Sequence, residues 1–344
     1  MEKKEKKEMI VKEKFYHKPH EPSVRHLLLK NKKSRIAVID ILGIKSRNQS
    51  KSSYLLVWFV VNLIFISCSR QGVSDDLLIA VSIPPQAWFV SQIAGEKADV
   101  LILVPPGQNP HNYEPTPRQI QSLSKASAWI LSGTEFEITL RPKIETLFPN
   151  LLIIDGTHGV ESRYMTEHEH HDCDDHDHAH SSLEIDRHTW LGREPAMLMA
   201  KHINETFFYL DNINAEYYDN RYLKTIGEIE NVFSELQMVL APLRGKSVFV
   251  YHPSFGYFFD DFGIIQEAVE MGGKEPTPRQ LNDLMEKINR EKPAAIFVQT
   301  QFPVNAARTL AASAGARVIE LDPLAQDWLE NIRHMGQALQ NIIQ

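Results

Sequence analysis

The hexapeptide EPTPRQ occurs at residues 114–119 and again at residues 275–280, and in both places the order of its residues predicts the start of a helix. Thr is a favoured N-cap, Pro is favoured at the first helical position, and a Gln three residues after the cap can bond back to it. Each copy follows an apolar run that ends in a turn and precedes a helical pattern that leads into another apolar run. The repeat therefore predicts equivalent helices in two halves built on one plan.

The apolar runs around these helices have the length and composition of buried strands. They are residues 77–85, 99–107, 128–131, 247–255 and 294–298. Because strands that alternate with helices form parallel sheets, we expect an α/β protein with two lobes, each a parallel sheet flanked by helices. Residues 213–244 fit one long helix between the two halves. A chain of 344 residues, 43% of them hydrophobic, is large enough to fill two such cores.

A basic segment and a short apolar segment precede this region. Residues 1–53 carry 15 Lys and Arg residues against 6 Asp and Glu residues. The apolar stretch that follows, up to Cys68, is shorter than the roughly 20 residues that span a bilayer but fits the core of a signal peptide. A small residue directly before Cys68 resembles a bacterial lipoprotein signal, in which that Cys carries the lipid, although Phe65 stands where Leu is usual. We expect residues 51–68 to be such a signal, with an uncleaved membrane anchor as the alternative; in either case the remainder is exported and tethered.

The first 50 residues exceed the ordinary length of a signal peptide, which is about 15 to 30 residues. One hypothesis is that translation begins later in the chain. Because Met9 and Met165 have no Met between them, a later start would need a non-standard codon, and an ordered role for this basic extension is the other interpretation. The two Cys residues offer an exported protein no disulfide framework, so stability must come from packing.

Residues 167–180, EHEHHDCDDHDHAH, contain six of the 15 His residues of the chain among six acidic residues. Such a segment cannot form a core, so we expect a solvated loop. One interpretation is an acidic linker; the other, which the density of imidazoles favours, is an accessory loop that captures metal. Its candidate ligands are His168, His170, His171, Cys173, His176, His178 and His180.

A tighter metal site is expected at strand ends, because ligands of open α/β sheets bind beyond the carboxyl ends of the strands. Four residues of ligand type follow predicted strands or the acidic loop: His111, His188, His252 and Asp322. Any one of them alone could be an ordinary loop residue, and Asp322, which precedes a Pro, also fits a helix N-cap. His158 follows a strand in the same way but is not included in the set. Together, three imidazoles and one carboxylate suit a tetrahedral zinc site.

Four segments around these residues resemble, in the same order, the signature segments of the metal-binding solute-binding proteins of bacterial zinc and manganese ABC importers. They are PHNYEPTPRQ, DRHTWLGREPAMLMA, VFVYHPSFGYFFDDFG and ELDPLAQDWLENI. The resemblance covers roughly residues 76–344 and extends to the acidic His-rich loop between the first and second segments. It implies metal ligation by His111, His188, His252 and Asp322.

The departures from this family pattern bear on the metal. Arg187 stands where Pro is common and Gly192 where Asp is common, which affects the local turn and leaves His188 in place. Position 110 is Pro, where some zinc-specific members have Glu, so Asp322 is the expected carboxylate. Manganese members tend to have Glu at the third ligand position, whereas this chain has His252, and three imidazoles favour zinc over manganese.

The resemblance implies an exported binding protein that captures Zn²⁺ with high affinity in a cleft between the lobes and delivers it to a membrane permease driven by a cytoplasmic ATPase. Residues 69–187 would form the N-terminal metal-binding lobe, residues 188–244 a helical segment with the rigid interlobe helix, and residues 245–344 the C-terminal metal-binding lobe. The location would be periplasmic or at the cell surface, through a lipid or signal anchor. We expect a monomer with no nucleic-acid partner.

Three alternatives stay open at this stage. The protein could be a manganese-binding homologue, or a periplasmic zinc buffer or adhesin that has no permease. A zinc hydrolase is the third, because three protein ligands with an open position is a catalytic pattern. The sequence contains no HExxH motif, and no second acid pairs with these His residues in the sequence, so we expect the protein not to be an enzyme.

Overall fold

The computed structural model describes residues 77–165, 185–270, 278–302 and 305–343. All of them belong to one compact unit, Ser74–Gln344. The basic extension, the signal segment with Cys68 and the His-rich loop 167–180 lie outside the described residues, so the interpretations given for them stay predictions. Within the described residues, no helix combines the length and the apolar character needed to cross a membrane.

The first sheet contains four parallel strands. They are β1 (Leu77–Val81), β2 (Ala98–Ile102), β3 (Ala128–Leu131) and β4 (Leu152–Asp155), in the order β2-β1-β3-β4. The helices α1 (Pro84–Ala94), α2 (Pro117–Leu123) and α3 (Glu135–Leu147) connect them. All four residues of β3 are buried, as is usual for a central parallel strand that is covered on both faces.

The repeated hexapeptide begins a helix as its residues predict. In the first copy the Thr116 side chain accepts a hydrogen bond from the backbone N–H of Gln119, and the Gln119 side chain accepts one from the backbone N–H of Thr116. This reciprocal pairing caps α2 and confirms the prediction for that copy. In the second copy a helix begins at Pro278, while the capping residue Thr277 lies outside the described residues.

Along the chain, the two sheets are separated by a short antiparallel pair and two helices. The pair is β5 (Arg163–Tyr164) with β6 (Ile185–Asp186), and the helices are α4 (Arg193–Leu210) and α5 (Ala215–Val239). The long helix expected over 213–244 is therefore shorter at both ends. At its end, Pro242 lies in the 3-10 turn Ala241–Leu243; Pro cannot donate to the helix ladder and disfavours helical backbone in the residue before it, so α5 ends first. The expectation that the helix extends to 244 was wrong for this reason.

The second sheet repeats the plan of the first. Its strands β7 (Ser247–Val250), β8 (Ile265–Ala268), β9 (Ala295–Gln299) and β10 (Arg317–Leu321) are parallel, in the order β10-β9-β7-β8. The helices of this half are α6 (Gly256–Asp260), α7 (Pro278–Glu291), α8 (Asn305–Ala314) and α9 (Trp328–Gln340). The α/β architecture with two parallel sheets confirms the fold expected from the sequence.

A cluster of aromatic side chains joins the C-terminal helix to the first half. Trp328 at the start of α9 is fully buried, with its ring 4.8 Å from Phe89 of α1 and 6.4 Å from Phe233 of α5. Its indole N–H donates to the carbonyl of Trp190 over 2.7 Å, and the indole N–H of Trp190 donates to the carbonyl of Pro323 over 2.8 Å. These two bonds fix the segments that follow His188 and Asp322 against each other.

Candidate metal centre

Three of the predicted ligands converge. His111 lies in the 3-10 turn Pro110–Asn112, His188 follows β6, and His252 follows β7. The Nε2 atom of His252 lies 3.0 Å from Nε2 of His111 and 3.3 Å from Nε2 of His188, and the three ligand atoms all lie within 4.8 Å of one another. Two nitrogens bound to one tetrahedral zinc at 2.0–2.1 Å would be about 3.3–3.4 Å apart, so the spacing is close to that of a shared ion.

Each of the three imidazoles has a carboxylate behind it. In each pair the distance runs from Nδ1 of the imidazole to one carboxylate oxygen. It is 2.8 Å for His188–Asp186, 3.0 Å for His111–Glu135 and 3.3 Å for His252–Glu270. Metal-binding His residues usually direct the second ring nitrogen at a carboxylate or carbonyl, which fixes the tautomer and the ring orientation.

This arrangement decides what the centre of the cluster can hold. A neutral imidazole has one proton, and a carboxylate facing Nδ1 favours that proton on Nδ1. The three Nε2 atoms then present lone pairs to one another at the distances given above. Such a group of acceptors is stable around a cation, and imidazole nitrogen is a preferred ligand of zinc and other late transition metals.

Burial and charge act in opposite directions on the ionisable groups of the site. Burial, reinforced by the neighbouring imidazoles, lowers the pKa of His252 to about 4 against the opposing effect of Glu270, so this ring is neutral at pH 7. Burial alone would raise the pKa of Asp186, but the hydrogen bond and charge of His188, with the charge of Arg163, bring it below its ordinary value. Burial alone would also raise the pKa of Glu135, but the hydrogen bond and charge of His111 bring it below its ordinary value. Neutral rings and ionised carboxylates are the states that metal binding needs.

His252 is held by its neighbours in the second sheet. The side chain of Gln299, at the end of β9, accepts from the backbone N–H of His252 over 3.0 Å and donates to the hydroxyl of Ser254 over 3.0 Å. The ring of Phe302 stacks on the imidazole with the centroids 4.5 Å apart. The loop after β7 therefore presents Nε2 of His252 in a fixed direction.

Asp322 is not part of the histidine group. Its Oδ1 atom accepts from Nε2 of Gln301 over 2.6 Å and from the backbone N–H of Leu324 over 2.9 Å. The alternative role as a helix N-cap is not realised either, because α9 begins at Trp328 with Asp327 as its cap. The three rings line a small cavity of about 10 Å³, roughly the space of one water molecule. Gln301 and Leu324 line the same cavity, and Asp322 is bonded to both of them without lining it.

The carboxylates behind the rings were missed by the sequence reasoning. Asp186 had a local signal, since it lies two residues before His188 in the same short segment. Glu135 and Glu270 had none in their neighbourhood, but both follow the end of a strand, β3 and β8. The strand-end rule that found the histidines would have found these acids as well, had it been applied to every acidic residue.

The two departures from the family pattern have structural counterparts. Arg187 donates from Nη1 to the carbonyl of Gly133 over 3.0 Å, and its Nε lies 3.5 Å from Oε1 of Glu135. At Gly192 a Cβ atom would lie 3.0 Å from Cβ of Tyr257, which is tighter than ordinary packing allows. The turn after His188 is thus adapted to its own neighbours. His158, excluded from the predicted set, follows β4, and its carbonyl lies 2.9 Å from Nε2 of His202.

The fold and the site define an α/β protein with two parallel sheets and a candidate metal centre of three buried or half-buried imidazoles. Residues 79–342 match the family described as ZnuA, zinc-uptake complex component A, periplasmic. The chain belongs to this family, which confirms the resemblance in the signature segments.

Individual relatives are similar at lower levels of identity. The zinc-binding lipoprotein AdcA of Streptococcus pneumoniae (strain ATCC BAA-255 / R6) is 26% identical over 298 residues, which cover 80% of this chain and 55% of AdcA, so the chain spans about half the length of that relative. The iron ABC transporter substrate-binding lipoprotein MtsA of Streptococcus pyogenes serotype M6 is 25% identical over 77% of this chain and 86% of MtsA. A crystal structure of ZnuA superposes with a TM-score of 0.71 at 32% identity, covering 78% of this chain and all of that one, 100%.

Proposed function

We propose that this protein captures Zn²⁺ outside the cytoplasm and delivers it to an ABC-type membrane permease for import. The observation that carries the proposal is the convergence of three Nε2 atoms, each on a ring whose Nδ1 faces a carboxylate. Neutral rings held in this way form a preorganised acceptor set for one cation. The family, with its solute-binding role, supports import over catalysis.

The proposed ligands are His111, His188, His252 and Asp322. The three imidazoles already lie together, whereas Asp322 is bonded to Gln301. Metal binding would then exchange that bond for a bond from Asp322 to the ion, which requires a local shift of the segment after β10. A site with three imidazoles and one carboxylate prefers zinc to manganese, since manganese prefers oxygen ligands.

The remaining parts of the proposal follow from the family and from the sequence. The lobes would be residues 69–187 and 245–344, joined by the helical segment 188–244. The His-rich loop 167–180 would raise the local zinc concentration, and Cys68 would carry the lipid that tethers the protein. Relatives described as ABC-transporter and zinc-binding lipoproteins support a permease with its ATPase as the partner.

The test is zinc, manganese and iron binding, measured by calorimetry and chelator competition on the full chain in mild detergent, on a variant lacking residues 167–180, and on His252→Ala. We expect one tight zinc site that survives deletion of the loop and is lost with His252, with weaker manganese binding. Zinc uptake by cells that carry the variants reports on delivery to the permease.

Each alternative predicts a different result. Loss of tight binding on deletion of the loop alone would make the protein a metal buffer. Tighter binding of manganese or iron than of zinc would change the assigned cargo, and tight zinc binding without any effect on uptake would favour a buffer or an adhesin. Hydrolytic activity that disappears in His252→Ala would identify an enzyme.

A further inference from the structure

Arg163, in strand β5, contacts Asp186, one of the carboxylates that face the imidazoles of the metal site. Its Nη1 donates to Oδ2 of Asp186 over 3.0 Å, and its Nε donates to Oδ2 of Asp260 in α6 over 2.8 Å. The other oxygen of Asp186 accepts from both the backbone N–H and the ring of His188. Asp186 is fully buried and the Arg163 side chain is 16% exposed, so neither can turn freely into solvent.

Other contacts fix Arg163 from the side of α6. Its backbone N–H donates to the hydroxyl of Tyr257 over 3.0 Å, and that hydroxyl donates to the carbonyl of Glu161 over 3.0 Å. Gly256, four residues after His252, has no room for a Cβ atom because the Arg163 guanidinium occupies that space. The guanidinium therefore lies in a closely fitted position between the segment of His188 and the segment that follows His252.

Arg187 forms a second chain of the same kind on another ligand. It lies 3.5 Å from Glu135, and Glu135 lies 3.0 Å from Nδ1 of His111. Its hydrogen bond to the carbonyl of Gly133 places it at the end of β3, beside the first residue of α3. Among the described residues, Oε2 of Glu270, behind the third imidazole, is also buried and has no hydrogen-bond partner.

We propose that Arg163 and Arg187 are positioning residues of the metal centre, each holding the carboxylate that orients one ligand, Asp186 for His188 and Glu135 for His111. The inference rests on the proposed zinc site. It adds a layer outside the carboxylates, formed by two arginines on two of the three imidazoles.

Two opposing effects decide whether each arginine strengthens or weakens metal binding. The positive charge of each arginine repels a bound cation and reduces the basicity of the carboxylate, which would weaken metal binding. Fixed orientation strengthens it, because a carboxylate held at both ends keeps the imidazole in the direction needed for binding. Arg163 bridges two carboxylates, Asp186 and Asp260, with both contacts at 3.0 Å or less, so we expect orientation to be the larger effect there. The contact of Arg187 with Glu135 is longer, at 3.5 Å, but its hydrogen bond to the carbonyl of Gly133 holds the guanidinium in place, so we expect the same sign.

The experiment measures zinc affinity by competition with a fluorescent chelator, on the full chain in mild detergent, for Arg163→Met, Arg187→Met and the matched control Arg193→Met. Arg193 also lies near an aspartate, Asp261, but that aspartate contacts no ligand of the site. We expect each of the first two variants to lose about 3- to 10-fold in affinity, less than the 10- to 100-fold typical of a carboxylate that contacts the ligand directly, and the control to bind like the parent.

Two further readouts separate positioning from a general loss of stability. Adding Arg163→Met to Asp186→Asn should change affinity by less than about 2-fold, because Arg163 acts through Asp186. The visible absorption bands of bound Co²⁺ should change in Arg163→Met and Arg187→Met and stay unchanged in Arg193→Met. If Arg163→Met does not fold, Arg163→Lys replaces it with the same expected loss, because one ammonium group cannot contact both carboxylates in this geometry.

The outcomes are distinguishable from those of the proposed function. If the parent protein does not bind zinc tightly, or if His188→Ala binds as the parent does, the proposed site itself fails. If the parent binds and the two arginine variants match it, or bind more tightly, only the positioning role is overturned. Equal effects of Arg163→Met in the parent and in Asp186→Asn would also overturn it.

Discussion

Replacing Glu270 with Gln should weaken zinc binding by about 10-fold while leaving the metal-free fold intact. Glu270 is 3% exposed and its Oε1 atom lies 3.3 Å from Nδ1 of His252. Gln has the same shape and keeps an acceptor oxygen, but it lacks the negative charge that makes the imidazole a stronger ligand. Loss of a carboxylate in this position typically lowers metal affinity 10- to 100-fold.

The distance places the expected loss within that range. A separation of 3.3 Å is longer than usual for an N–H···O bond, so the effect should lie near 10-fold, or about 1.4 kcal/mol. The pair between His188 and Asp186 is shorter, at 2.8 Å, and Asp186 is completely buried. Asp186→Asn should therefore lose more, near 100-fold or about 2.7 kcal/mol. The structure thus predicts an order of effects as well as their size.

The assay is chelator competition at pH 7, together with thermal unfolding of the metal-free protein. Glu267→Gln is the matched control, because Glu267 lies three residues before Glu270, in strand β8, and pairs with Lys287 over 2.7 Å. This control should keep the zinc affinity of the parent. The reasoning is refuted if Glu270→Gln binds zinc as the parent does, or if Glu267→Gln loses as much affinity as Glu270→Gln.

Four substitutions test other parts of the fold. Gly227→Ala in α5 should raise the free energy of unfolding by about 0.5–1 kcal/mol, because among the described residues no heavy atom outside the local helix backbone lies within 4 Å of the added methyl group and Ala favours the helix. Gly336→Ala in α9 should lower it by about 1–3 kcal/mol, because the methyl group would collide with the Leu236 side chain; chemical denaturation that shifts both variants in the same direction would contradict this pair. Asp261→Asn should stabilise the protein at pH 7 by at most about 3 kcal/mol, because burial raises the pKa of Asp261 to about 6 and ionisation above that pH opposes folding. That gain should shrink as the pH falls through 6 and disappear below about 4, where the carboxyl group is protonated in both states, so a gain that does not depend on pH would count against the explanation. Thr277→Ala tests the N-cap expected from the second EPTPRQ copy: we expect the free energy of unfolding to fall by about 1 kcal/mol with little change in zinc affinity, and a large loss of affinity at unchanged stability, measured side by side, would overturn that expectation.

The sheets and the ligand-bearing strand ends could be predicted because their signals are local. The strand Ala128–Leu131 has the bounds that were expected for it, because a short apolar run between turn residues is a local signal for a buried strand. The cap at Thr116 was predicted from three residues that contact one another within a single turn. The end of α5 was misjudged although its signal, Pro242, was also local.

The sequence reasoning selected the imidazoles of the candidate site but not the carboxylate that each of them faces. The three His residues lie beyond the ends of strands in different sheets, and the strand-end rule together with the ligand chemistry of imidazole was enough to select them. The carboxylates depend on which elements pack together: Glu135 and His111 are joined through the contact of α3 with the turn after β2, and Glu270 reaches His252 from the neighbouring strand. The position of Asp322 beside Gln301 depends on the meeting of two loops in the second sheet.

The sequence by itself determined the α/β plan with two parallel sheets, the capped helix start at Thr116 and the three imidazoles, because each follows from periodicity or from residue order over a few positions. Only the tertiary structure decided which carboxylate faces each imidazole, which arginines contact two of those carboxylates, and the partner of Asp322. Arg163 and Asp260, for example, are 97 residues apart and meet only after the second half has packed against the first. A pattern within one segment carries no information on such distances, since they are set by the packing of complete elements.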